Sequence, residues 1–238
     1  MKPNKAITFK RKLVYVAVAS CFTVLPAYAN PIGAEVVNGS VSFATQNNTL
    51  TITNTPSAII NWQQFGIQSN EVTRFVQQSA QSAVLNRVVG QDPSAILGSL
   101  LSNGRVFLIN PNGIVFGAGA IVDVAGLVAS TLRLSDGDFL AGRMNFTDGV
   151  GAGSIVNQGN ISTPAGGNIY LIAPDILNSG IITSPQGEIL LELSLPVAGD
   201  VRPRRQQTRT VLYLCRVVHT RAVGQLTGLG AEFLQKLR

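Results

Sequence analysis

Short runs of alternating apolar and polar residues fill the chain between residues 30 and 193, separated by Asn, Gly, Ser, Thr and Pro. Runs of four or five residues that are rich in Val, Ile, Leu, Phe and Thr predict β-strands. The clearest are residues 40–43, 49–53, 58–62, 105–109 and 113–116. Asn-Gly pairs at 38–39, 103–104 and 112–113 predict turns, because Asn and Gly adopt positive φ at low cost.

An internal repeat decides how these strands are arranged. The segment 156–162 aligns with 177–183, and the segment 167–171 aligns with 187–191. A period of about 20 residues is typical of a solenoid, in which stacked coils bury one continuous core. We expect a parallel β-helix of about seven or eight coils, with Asn ladders at equivalent turns and a cap over residues 31–50. An all-β sandwich is the alternative, and the period favours the β-helix.

One segment departs from the pattern. Residues 70–101 are rich in Gln, Ala and Ser and poor in Gly. Pro93 follows Asp92 in the arrangement that opens a helix, so residues 93–101 are a candidate short helix. We interpret the segment as irregular excursions packed on the solenoid, and further coils of weaker pattern are the alternative.

Residues 1–29 predict a Sec signal peptide. Five basic residues and no acid precede an apolar run over residues 13–25. Two small residues, Ala27 and Ala29, follow the run. The expected cleavage lies between Ala29 and Asn30. The run is short for a membrane-spanning helix. A lipoprotein-like box ending at Cys21 lies inside it, but the apolar run continues past Cys21 and the small residues at 27 and 29 follow, which favours the signal peptide. No other apolar run is long enough to span a bilayer, so we expect no transmembrane segment in the mature chain.

Charge is concentrated at the two ends of the chain. The formal net charge is +6, yet residues 30–193 carry five Arg against ten Asp and Glu. Residues 194–238 carry eight basic residues against two acids. A mildly acidic body does not have the charge of a phosphate-backbone binder, so we expect no nucleic-acid partner. The two cysteines, Cys21 and Cys215, lie in the leader and the tail and predict no disulfide framework.

Candidate catalytic chemistry is sparse. Many parallel β-helices bind or cleave acidic polysaccharides, which is the alternative function for this chain. Such a site needs clustered carboxylates or a base, but residues 30–193 contain no Lys or His. Asp136 and Asp138 fall in a Ser-Asp-Gly-Asp turn, and Asp123 lies within a β-run. We therefore expect no enzyme activity, no metal site and no cofactor.

Four ordered motifs resemble the filamentous-haemagglutinin-type secretion domain of two-partner secretion, also called the haemagglutination activity domain. They lie at residues 58–65, 82–89, 104–117 and 126–131, and the run Asn110-Pro111-Asn112-Gly113-Ile114 is the most recognisable. The resemblance covers about residues 31–193. It implies an all-β, right-handed parallel β-helix with an N-terminal cap and small extra-helical β elements.

The resemblance also implies a function and a partner. Such a domain is recognised in the periplasm by POTRA domains of a dedicated outer-membrane β-barrel transporter, after passage through the Sec translocon. It then nucleates β-helix folding at the surface of a Gram-negative bacterium, as the leading part of a secreted adhesin or haemagglutinin-like exoprotein. The host cell surface is a further expected partner, and adhesin, cytolysin and contact-dependent toxin cargoes all share this leading domain.

Site residues follow from the same motifs. Residues 110–114, with Asn86 and Arg87, are the candidates for transporter recognition. The Asn110–Ile114 run also fits a plain type I turn between two strands, and both interpretations stay open. Trp62 and Phe65 are expected in the core rather than on a ligand-binding surface.

The tail does not continue the pattern. Residues 194–238 are Arg-rich, lack the Asn/Gly turns, and contain the only His of the chain. We divide the chain into a signal peptide (1–29), a secretion β-helix (30–193) and a basic tail (194–238) that is disordered or translated out of frame, which would make the product truncated. The alternative for the tail is that it binds nucleic acid or lipopolysaccharide. A further alternative for the chain is a free-standing adhesive fragment.

Overall fold

A computed structural model describes residues 30–147 and 151–193 of the chain. Its elements, in chain order, are β1 (Glu35–Asn38), β2 (Val41–Gln46), β3 (Thr49–Asn54), β4 (Ala58–Trp62), β5 (Val72–Val76), β6 (Ala83–Val88), β7 (Ser94–Ile96), β8 (Ser99–Ile109), β9 (Ile114–Phe116), β10 (Ile121–Ser130), β11 (Arg133–Leu134), α1 (Asp136–Leu140), β12 (Phe146–Thr147), β13 (Ile155–Asn157), β14 (Asn160–Ser162), β15 (Ile169–Ala173), β16 (Ile176–Asn178), β17 (Ile181–Thr183) and β18 (Ile189–Leu193). The predicted fold class, an all-β parallel β-helix, is confirmed.

The solenoid has about six turns, which we call rungs, and three faces. Face 1 stacks β4, β6, the second half of β8, the second half of β10, β15 and β18 in parallel. Face 2 stacks β3, β5, the first halves of β8 and β10, β14 and β17. Face 3 stacks β7, β9, β13 and β16. Alternate side chains point inward and form one continuous core, in which Trp62 and Phe65 are 1% and 2% exposed, as expected.

The N-terminal end is covered by antiparallel strands. β1 pairs with β4 at the edge of face 1, and β2 pairs with β3 at the edge of face 2. Without them, the first rung would present rows of unpaired backbone groups. The cap expected over residues 31–50 is therefore present.

The repeat registers are those that the sequence predicted. Val156 pairs with Leu177, and Ile169 pairs with Ile189. An Asn ladder joins the same two rungs, since Asn157 Nδ2 donates to Asn178 Oδ1 at 2.7 Å. Stacking identical turns one above the other is what makes this amide ladder possible.

Residues 70–101 belong to the solenoid, so the prediction of irregular excursions there was wrong. They form β5, β6, β7 and the start of β8, and Ser94–Ile96 is a strand of face 3 rather than a helix. The inward residues Phe75, Ile96 and Leu100 are fully buried or nearly so. The rung pairing overrides the local helix-start signal at Pro93, because a helix there would leave the neighbouring strands of face 3 without a partner.

The segment that leaves the solenoid lies later, and it explains why the rungs number about six rather than the expected seven or eight. Leu127 and Ile169 are neighbours on face 1 although they lie about two repeat periods apart in the chain. Between them, β11, α1 and β12 form a small unit outside the solenoid over residues 131–147, which we call the extra-helical unit. It packs on the outer side of face 1 and creates a second hydrophobic cluster, whose buried members are Ile59, Ala83, Leu85, Phe107, Ile109, Val128, Leu132, Leu134, Phe139 and Ile172.

Two of the three Asn-Gly turns are present. Gly39 has φ +80° and Gly113 has φ +119°. Asn103-Gly104 is not a turn, because β8 continues through it from face 2 to face 1. There Asn103 uses its side chain to bond the backbone of Gln77 on the rung before, accepting from its N–H at 2.7 Å and donating to its carbonyl at 2.8 Å. In the described ranges, no helix is long and apolar enough to cross a bilayer.

Candidate functional site

The Asn110–Ile114 run forms the corner between face 1 and face 3, where β8 ends and β9 begins. A β-turn is closed by the Gly113 N–H, which donates to the Asn110 carbonyl oxygen at 3.1 Å. The Asn112 N–H donates to Asn110 Oδ1 at 3.0 Å, so the Asn110 side chain reinforces the turn. Gly113 is required at its position because its φ of +119° is strained for other residues.

Asn110 ties this corner to the preceding rung. Its side chain is fully buried. Its Nδ2 donates to the Asp92 carbonyl oxygen and to Ser94 Oγ, both at 3.0 Å. With the Asn112 N–H and the Asn112 Nδ2 bonded to Oδ1, the Asn110 carboxamide makes four hydrogen bonds.

The other residues of the corner contact rungs on both sides. Asn112 is exposed, and its Nδ2 donates to the Gly90 carbonyl oxygen at 2.9 Å. Half-buried Pro111 accepts a hydrogen bond from the Gly153 N–H at 2.7 Å, on the following rung. Ile114 points into the core and is fully buried. The corner therefore joins three successive rungs.

Asn86 lies inside the solenoid, one rung before the corner. It is fully buried in an apolar row of face 1. Its Oδ1 accepts from Trp62 Nε1 at 3.0 Å, and its Nδ2 donates to the Phe107 carbonyl oxygen at 3.2 Å. A buried amide in an apolar core is tolerated only when its groups are bonded, and here it links the first three rungs.

Arg87 points outward from the same strand, and it pairs in register with Ile109, the residue before the corner. One guanidinium nitrogen donates to Asn61 Oδ1 at 3.2 Å. The other donates to the Leu134 carbonyl oxygen at 2.9 Å and to Asp136 Oδ1 at 2.5 Å. Arg87 thus holds the extra-helical unit against face 1.

The acids considered for catalysis have other contacts. Asp136 is the partner of Arg87, and Asp138 lies in the first turn of α1. Hydrogen bonds from Ser135 and then Arg143 hold the pKa of Asp138 below its usual value. Asp123 is exposed on the outer side of face 2. Over the residues that the structure covers, no three His, Cys, Asp or Glu side chains are grouped as metal ligands.

The exposed part of the corner includes residues that sequence reasoning missed. Gln64, Val89 and Asp92 are exposed and lie on the two preceding rungs, after the face 1 strands β4 and β6. Gln64 Nε2 donates to Asp92 Oδ2 at 2.5 Å. Gly90 is the residue that could have drawn attention to this surface from the sequence. The structure shows why a glycine stands there, since a Cβ would collide with the backbone carbonyl of Gln63.

At the start of the described chain, Asn30 Oδ1 accepts a hydrogen bond from Thr73 Oγ1 at 3.0 Å. Ala29 and the predicted signal peptide lie outside the described residues, as do both cysteines and the basic tail 194–238. The predictions made for those segments stay predictions.

Comparison with known proteins gives consistent matches. The TPS secretion domain family model matches residues 27–212, a range that extends past 31–193 on both sides. A heme/hemopexin-binding protein of Haemophilus influenzae is 38% identical over 135 residues, which are 55% of this chain and 15% of that protein. A second protein of that name and organism is 42% identical over 77 residues, covering 32% of this chain and 8% of its own length.

The solved structures include a similar fold. The crystal structure of the HMW1 secretion domain from Haemophilus influenzae superposes with a TM-score of 0.66 at 39% identity. The match covers 68% of this chain and 44% of the HMW1 chain. This chain therefore spans less than half of each of these relatives.

Proposed function

This chain belongs to the TPS secretion domain family, and we propose on that basis that residues 30–193 are a secretion module. We propose that POTRA domains of a cognate outer-membrane transporter recognise this module. Family membership makes the chain the secretion domain of a two-partner-secretion exoprotein of a Gram-negative bacterium, with an outer-membrane transporter as its general partner. Recognition by POTRA domains is the step that we propose beyond this membership.

The observation that carries the proposal is that the Asn110–Ile114 corner has a buried part and an accessible part. Asn110, Gly113 and Ile114 are buried by the fold, so a partner cannot touch them once the rungs have stacked. Pro111 and Asn112 remain accessible. In an unfolded chain, by contrast, all five residues and the β-prone segments beside them are available to pair with an exposed strand edge of a transporter domain.

The ends of the solenoid fit a folding nucleus. The cap covers the first rung, and no described strand covers the outer edges of β16, β17 and β18. A rung that exposes such edges is a template for the next rung, which supports growth towards the C-terminus. We propose that folding at the cell surface proceeds in this direction, without a catalytic role for the domain.

The cargo is proposed on coarser grounds. The heme/hemopexin-binding proteins share only 15% and 8% of their length with this chain, so heme and hemopexin binding are not transferred to it. We propose an adhesin or haemagglutinin-like exoprotein that acts at the host cell surface. We also propose export through the Sec translocon, with cleavage between Ala29 and Asn30, which N-terminal sequencing of the exported chain would check.

Secretion with and without the candidate transporter is the direct test. The expected result is transporter-dependent appearance of the chain in the medium. Asn112→Ala should reduce this export while leaving the folded protein nearly as stable as the parent. The matched control is Asn48→Ala, another exposed amide on a turn far from the corner. Equal export in both strains, or retention in the periplasm in both, would overturn the proposal.

A further inference from the structure

The three Asn-Gly pairs of the cap and rungs are candidate sites of deamidation. In an Asn-Gly pair, the glycine backbone nitrogen loses its proton to hydroxide and bonds to the Asn side-chain carbonyl carbon. The side-chain nitrogen then takes a proton from water and leaves as ammonia. Water then opens the resulting succinimide at either carbonyl and gives Asp or isoAsp. Glycine favours the reaction because it has no Cβ to hinder ring closure.

The fold ties down both reacting groups at two of these pairs. At the corner, Asn112 Nδ2 donates to the Gly90 carbonyl oxygen and to Asn110 Oδ1, while the Gly113 N–H donates to the Asn110 carbonyl. At the second pair, Asn103 bonds the backbone of Gln77 through both side-chain atoms, and the Gly104 N–H donates to Ser102 Oγ at 3.0 Å.

The pair in the cap is held less firmly. Among the described residues, the Asn38 side chain makes one hydrogen bond, from Nδ2 to the Ser57 carbonyl oxygen at 2.8 Å. It lies at the end of β1, an edge strand that is exposed along most of its length. Ring closure at Asn38 therefore breaks fewer contacts than at Asn103 or Asn112.

We propose that Asn103 and Asn112 are deamidation sites of the unfolded chain that rung stacking protects, and that Asn38 is the pair that stays labile in the folded protein. Conversion before folding is damaging, because a carboxylate at 112 would face the backbone carbonyl oxygen of Gly90 and the side-chain Oδ1 of Asn110 in place of a donor. A carboxylate at 103 would likewise lose the donor to the Gln77 carbonyl. Deamidation at either position before folding would therefore remove hydrogen bonds that join neighbouring rungs.

Peptide mapping by mass spectrometry tests this on the purified full chain, incubated at about pH 8 with and without concentrated urea. We expect deamidation at Asn103 and Asn112 to be slower in the folded protein by more than about tenfold, since reaction then needs local opening. Asn38 should be slowed least. Similar rates at Asn112 in the folded and denatured protein would overturn the proposal.

An internal control separates local protection from global stability. Ser102→Ala removes the acceptor for the Gly104 N–H at the Asn103 pair but leaves the contacts of Asn112 intact. The proposal expects faster deamidation at Asn103 alone in the folded variant. Equal acceleration at Asn103 and Asn112 would mean that both report only global unfolding, and it would refute protection by the local hydrogen bonds. The purified chain contains no transporter, so this result does not depend on the proposed secretion role.

Discussion

Replacing Asn110 by Ala is the sharpest perturbation of the corner. The substitution removes four hydrogen bonds made by a fully buried side chain. It also leaves Ser94 Oγ, on a fully buried residue, without the donor that it has in the parent. Each net hydrogen bond is worth about 0.5–1.5 kcal/mol, and an orphaned buried acceptor adds to the loss. We expect a loss of about 3–5 kcal/mol of unfolding free energy.

Asn112→Ala is the matched comparison, because it removes an amide from the same turn at an exposed position. Its two hydrogen bonds compete with water, so we expect a loss of about 1 kcal/mol. Asn110→Asp keeps the shape of the side chain but replaces the donor, which places a carboxylate oxygen against the Asp92 carbonyl. It should be at least as destabilising as Asn110→Ala at neutral pH.

Urea unfolding measures these losses through Trp62, the only Trp of the chain, together with far-UV circular dichroism. Trp62 lies in the first rung and the corner in the third, so coincident transitions would show that the rungs unfold together. The reasoning is refuted if Asn110→Ala and Asn112→Ala lose similar free energy, or if Asn110→Asp is tolerated.

Asn86→Ala should cost about 2–4 kcal/mol, because it leaves Trp62 Nε1 buried without an acceptor, and a shift in the fluorescence of Trp62 should accompany it. Arg87→Ala should cost only about 1 kcal/mol, as its ion pair is partly exposed, yet raise proteolysis within the extra-helical unit selectively. Gly104→Ala should destabilise by about 1–3 kcal/mol in urea unfolding, since a Cβ there would lie 2.5 Å from the side-chain carbonyl carbon of the stacked glutamine. The lowered pKa of Asp138 means that its contribution is present at neutral pH and lost as the pH falls through that folded pKa, which carboxyl NMR titration with amide exchange in α1 would follow. Uniform proteolysis in Arg87→Ala, or an unshifted Asp138 titration, would contradict the respective contacts.

The amino-acid pattern alone determined the class of the fold. Two-residue alternation placed the strands, and the repeat period predicted the registers of the last rungs, such as Val156 on Leu177. It also placed Trp62 and Phe65 in the core. These features are local or periodic, so the chain shows them without its tertiary contacts.

Which segment leaves the solenoid was decided only by the tertiary structure. Face 1 is buried on both sides under the extra-helical unit, so Leu85 and Phe107 on its outer side are as apolar as the residues inside. The alternation that marks a half-buried strand is lost there, and the sequence then gives no sign of which side faces the core. The prediction of a short helix at Pro93 was wrong for a related reason, because strand stacking outweighs a local helix preference.

The roles of the site residues likewise depended on contacts between distant positions. Arg87 meets Asp136 from a different rung, and Asn110 reaches Ser94 on the rung before it. The Asn110–Ile114 motif predicts a turn, but the burial of its side chains depends on the rungs that stack above and below the turn. The sequence therefore determined the rung and its period, whereas only the stacking of rungs determined which amides of the corner are buried and which face a partner.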